Sequence, residues 1–180
     1  MKYFKPDILK RFRSREREVV ESAAREWDAA VEAYHADLEA MKPLMPNTLR
    51  KTIRDMPALH DSYPLGLKHI TPGGSISLLV RLEGNGKKPG AEIEIVYSAV
   101  TGDPNEDIEA TQHDVGSKGG VVSILHHELG AEGEGVFSHS LLFSDGWVLK
   151  FRMRNMLVRT VKTLEPAPVF KKREPLVAFA

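Results

Sequence analysis

Apolar residues recur at Val20, Ala24, Trp27, Val31, Tyr34, Leu38 and Met41, spaced alternately four and three. That period places all seven on one stripe of a helix. The helix is expected over residues 14–41, with Ser14 as its cap, Glu16 and Glu18 in the first turn where the helix dipole favours acids, and Pro43 ending it. The stripe reads as a helix packed on its own domain, because sustained coiled coils usually run beyond about three heptads. A shorter helix is expected over residues 6–12, and another over 47–56 with Asn47 as its cap.

After Pro57 the period changes from helical to two. Ile76, Leu78, Val80 and Leu82 alternate with Ser77, Leu79 and Arg81; Ile93, Ile95 and Tyr97 alternate with Glu92, Glu94 and Val96. Trp147, Leu149, Phe151 and Met153 alternate with Val148, Lys150, Arg152 and Arg154. These are strands with one solvated face. Glycine-rich and Asp-rich turns separate them, at 84–86, 102–105, 116–120, 130–135 and 144–146, and connections that short join antiparallel neighbours. Asp145-Gly146 marks a tight hairpin, since it supplies positive φ angles. The pattern predicts an α+β fold: N-terminal helices packed on an antiparallel β-meander of about five to seven strands. One domain is expected over 1–165, helical over 1–57 and sheet over 58–165, followed by an extended basic arm over 166–180 with three prolines and Lys171-Lys172-Arg173.

Composition narrows the class. With 42% apolar and 28% charged residues in 180, the chain is of ordinary globular make-up. The 25 basic and 25 acidic residues cancel, which excludes a globally basic nucleic-acid binder. The absence of cysteine removes disulfides, thiolate metal sites and cysteine nucleophiles together. Charges interrupt the first residues at every apolar pair, so no secretory signal is expected. No run approaches the roughly 18 apolar residues of a membrane span. The expectation is a cytoplasmic protein with no membrane contact and no cofactor.

No dinucleotide fingerprint, P-loop or nucleophile elbow is present in its required strand and helix context. Histidine is the residue type whose placement invites chemistry. In His126-His127-Glu128, alternation puts His126 beside Glu128 on one face and His127 on the other. With His139 from the next strand, His126 and Glu128 make a candidate open metal set of two imidazoles and a carboxylate. The structural alternative pairs His126 with Glu128 by a hydrogen bond and leaves His127 partly buried and satisfied. His60 and Asp61 form a second polar candidate at the helix-to-sheet junction, where an acid beside an imidazole orients its tautomer; Ser62 follows, but adjacent strand residues point apart, so the three alone build no relay. Lys150, Arg152 and Arg154 project from one strand face and form a candidate binding surface, which lacks the aromatic platform of a single-strand binder. Compensation by neighbouring acidic strands is the structural reading of the same residues.

The opening Met-Lys-Tyr-Phe, the Trp-bearing helix, Leu59-His60-Asp61-Ser62 before the sheet, and the closing hairpin Ser138 to Gly146 resemble small uncharacterised bacterial proteins, and more loosely immunity-type proteins of bacterial toxin systems. The resemblance covers most of the chain up to Leu164 and implies an α+β fold that binds a protein partner. The functional expectation is therefore a protein-binding module, immunity-like or regulatory, without catalysis. The alternative is a metal-dependent hydrolase using the strand-borne His126, Glu128 and His139.

Overall fold

A computed structural model describes residues 1–70, 74–84, 89–98, 100–101, 103, 105–115 and 122–164. The basic arm expected over 166–180 and the glycine-rich turns at 85–86 and 116–120 lie outside them.

Three helices come first: α1 (Pro6–Phe12), α2 (Arg17–Met41) and α3 (Asn47–Asp55), with a short 3-10 turn at Lys42–Leu44 between the last two. The long helix starts later than Ser14 suggests. Ser14 Oγ accepts the Glu16 N–H at 3.1 Å and holds the approach to the helix, and no side chain caps the helix itself. Asn47 likewise is the first helical residue of α3, preceded by Pro46. All seven stripe residues of α2 face inward, with Tyr34 and Met41 buried and the others half-buried.

Among the described residues eight strands follow: β1 (Tyr63–Ile70), β2 (Ser75–Leu82), β3 (Ala91–Ser98), β4 (Ile108–Gln112), β5 (Ile124–Gly133), β6 (Val136–Phe143), β7 (Trp147–Met153) and β8 (Asn155–Thr163). The fold is α+β, as its pattern predicts, but the sheet is not one meander. The strands form two antiparallel sheets, ordered β1-β2-β3-β8 and β4-β7-β6-β5. A single sheet would need helices to cover the whole of its apolar face, whereas two sheets bury those faces against each other. Ile76, Leu78, Val80, Ile93, Ile95 and Tyr97 of one meet Leu129, Phe137, Leu141, Phe143, Phe151 and Met153 of the other.

Met41, Met45, Leu49 and Leu59 join that core from the helical side. β7 passes through Arg154 into β8 and so from one sheet to the other. At the opposite border the sheets meet through an isolated bridge, in which Asp61 N–H donates to the Ile124 carbonyl and Ile124 N–H to that of Ser62, both at 2.8 Å. The Asp145-Gly146 hairpin forms as expected, with Gly146 at φ +91° and its N–H bonded to the Phe143 carbonyl.

Candidate functional site

The candidate metal set does not assemble. In the β5–β6 register Leu129 faces His139 and His127 faces Leu141, so His139 points into the space between the sheets together with His127. His126 and Glu128 point the other way, towards the N-terminal segment and α2. Strand pleating therefore separates the three residues onto opposite faces. Among the described residues no group of three or more His, Asp or Glu side chains is placed to hold a metal ion.

Nor does His126 pair with Glu128. The Glu128 carboxylate accepts the main-chain N–H groups of Lys2, Tyr3 (3.0 Å) and Phe4 (3.4 Å), and so pins the chain's first residues to β5. The His126 ring instead packs on Phe4, 3.4 Å between centroids, and on Trp27, 5.1 Å. Trp27 also touches Phe4 and Phe12 and stays half-buried in this aromatic cluster outside the main core.

On the inner face a chain of hydrogen bonds crosses between the sheets. Tyr97 Oη on β3 lies 2.9 Å from His139 Nδ1 on β6, and His139 Nε2 lies 3.1 Å from His127 Nδ1 on β5. Tyr97 and His139 are fully buried. Burial pushes His139 well below the ordinary imidazole range and His127 down to about 4, and holds the Tyr97 phenol well above its own range. His126 is also pushed down to about 4, by burial first and then by repulsion from His127, His60 and His35.

His60 Nδ1 and Asp61 Oδ2 pair at 2.8 Å, as adjacency suggests, but both are about two-thirds exposed. The neighbouring Ser62 hydroxyl is buried and donates to the Leu59 carbonyl, which removes it as a nucleophile. Asp61 adopts φ +62°, a left-handed conformation that Asp tolerates, and that turn delivers its N–H to β5.

The basic strip is compensated. Lys150 lies 2.5 Å and Arg152 3.0 Å from the Glu132 carboxylate, reaching over the buried Ser138 and Ser140 of β6. Arg152 Nη1 is also 3.9 Å from Oδ1 of the fully buried Asp107, whose Oδ2 accepts the Val100 and Thr101 N–H groups. Arg154 stands apart, in the bend between β7 and β8 rather than on the strand, and is exposed. Alternation assigned the face of Lys150 and Arg152 correctly and extended it one residue too far.

The site that sequence reasoning missed is a groove of about 440 Å³ between α3 and β8. Its α3 wall carries Thr48, Lys51, Thr52 and Asp55, while the opposite helical face sends Leu49 and Ile53 to the core. Ile93, Leu157 and Val158 supply apolar floor and Thr160 the far rim. β8 is an edge strand, and among the described residues no main-chain hydrogen bond reaches residues 157–163 from the side away from β3. Leu157 and Val161 are 54% and 56% exposed. Two large apolar side chains standing in water on one edge strand were the available signal, obscured by the surrounding Arg159 and Lys162.

Compared with protein-family models, with curated proteins and with solved structures, the chain matches none.

Proposed function

We propose that this chain is a protein-binding module without catalysis, which receives an extended segment of a partner polypeptide in the groove between α3 and β8. The observation that carries the reading is the outer edge of β8, unpaired over 157–163 among the described residues and bearing Leu157 and Val161 more than half exposed. A strand laid beside β8 satisfies its outward N–H and C=O groups, with one set of its alternate side chains on the face of Val158 and Ile93 and the other on the face of Leu157. Lys51, Asp55 and the three threonines supply the polar rim usual around an apolar contact. The motifs that resemble bacterial immunity-type proteins are compatible with this reading, and we place the protein in the cytoplasm. Lys150 and Arg152 are left out of this binding surface because Glu132, with Asp107 beside Arg152, already pairs with them.

A displayed library of random peptides, selected on the full chain, tests the reading. Selection should enrich extended sequences with apolar residues at alternate positions, and a Leu157→Glu, Val161→Glu variant with an unchanged melting midpoint should bind them at least about tenfold more weakly. Peptides that bind the variant as tightly as the parent protein, or no enrichment over a blank support, would overturn it.

A further inference from the structure

The inter-sheet chain of Tyr97, His139 and His127 has two ways of placing its protons. If His127 Nδ1–H donates to His139 Nε2, then His139 Nδ1–H must donate to the Tyr97 oxygen, and the tyrosine's own proton has no acceptor among the described residues. In the reverse order Tyr97 O–H donates to His139 Nδ1 and His139 Nε2–H donates to His127 Nδ1, so each of these protons is accepted. The second order leaves over the Nε2–H of His127 instead, on a ring that is only half-buried where Tyr97 is fully enclosed; a stranded donor costs more the deeper it lies, which selects the second arrangement and makes both imidazoles Nε2–H tautomers.

That arrangement has no room for another proton. A proton added at His127 Nδ1 or at His139 either sets two donors against each other or forces Tyr97 to turn its buried O–H away from His139. We propose that Tyr97, His139 and His127 form an acid-sensitive bolt between the two sheets, closed while both imidazoles are neutral and broken by uptake of a single proton.

Among the described residues, the surroundings give the cation nothing to pair with. From β7 the Phe151 ring stacks on Tyr97, 4.3 Å between centroids. From β5, His126 and Glu128 lie on the reverse face, where the carboxylate is occupied by the N–H groups of Lys2, Tyr3 and Phe4. From α2, Tyr34 accepts the Leu129 N–H, His35 lies beside it, and Asp37 pairs with Lys2 and Tyr3. From the turn before β1, Asp61 pairs with His60. His35 and His60 lie near enough to His126 to oppose a positive charge there, and five of the chain's seven histidines thus gather about β5 and β6.

The sign follows from linkage. The unfolded chain takes up protons near the ordinary imidazole value of 6.5, whereas the folded chain refuses them until far lower pH, down to about 4 at His127. Stability is therefore full above about 6.5 and declines as pH falls towards 4. This inference is independent of the groove at β8.

Two measurements on the full chain decide it. Long-range imidazole ¹⁵N spectra at neutral pH should show His127 and His139 as neutral Nε2–H tautomers. Urea titrations at stepped pH should show the unfolding constant rising by at least about 100-fold per pH unit well below 6.5, the slope of two or more withheld protons. The Tyr97→Phe, His139→Leu variant, which replaces both inter-sheet partners by apolar groups, should lose about tenfold per unit of that slope. An Nδ1–H tautomer at either histidine, or a slope below one proton in the unmodified protein, would overturn the bolt whether or not the variant folds.

Discussion

Two edge strands of this protein are treated in opposite ways. At β5 the chain closes its own edge: the turn at Asp61 and Ser62 bonds Ile124, the Tyr34 hydroxyl on α2 accepts the Leu129 N–H at 3.0 Å, and Glu128 gathers three N–H groups of the first residues. At β8 a helix stands alongside without closing anything, and α3 turns Thr48, Lys51, Thr52 and Asp55 towards a gap of about 440 Å³. An unpaired edge invites addition of another strand, and proteins usually blunt it. The sealed edge shows that this chain can bring distant oxygens to a strand border. The open one offers an unpaired border, which is why the proposed function is placed there.

The comparison can be broken from its sealed side. Glu128→Ala removes one carboxylate from three main-chain donors, of which the Phe4 N–H is left buried and the other two part-buried. It should cost about 2 kcal/mol, the middle of the range for stranding donors, and free Lys2 to Phe4 in amide exchange while β2 and β3 keep their protection. Tyr34→Phe removes only the acceptor for Leu129, with the ring contacts to Phe4 and Tyr3 retained, and should cost about 1 kcal/mol in urea titration. On the open side, Leu157→Asn should move stability by no more than about 0.5 kcal/mol, because a side chain already 54% exposed gives up little burial. A loss of 2 kcal/mol or so at Leu157 would mean that β8 is covered in solution, and the two edges would then be alike.

The seven-residue stripe of α2, the phases of β2, β3 and β7, and the Asp145-Gly146 hairpin were all legible because each is a local pattern with a single period or turn chemistry. β1, β4 and β8 were not. Tyr63–Ile70 contains a proline and a glycine with a bulge between them, Ile108–Gln112 is short and polar, and β8 mixes Leu157 and Val161 with exposed cations on an irregular register. For the site residues, alternation placed His126 with Glu128 and His127 opposite, and adjacency paired His60 with Asp61.

By itself, then, the sequence determined the class of fold, the faces of its periodic elements and the exclusion of thiol chemistry, since these depend on composition and on neighbours along the chain. Only the tertiary structure decided that eight strands divide into two sheets, that His139 joins Tyr97 and His127 instead of His126, and that Glu128 binds residues more than a hundred positions away. Those outcomes depend on which strand lies beside which. Register and sheet membership are set by the burial of whole faces against one another, and no local period encodes that choice.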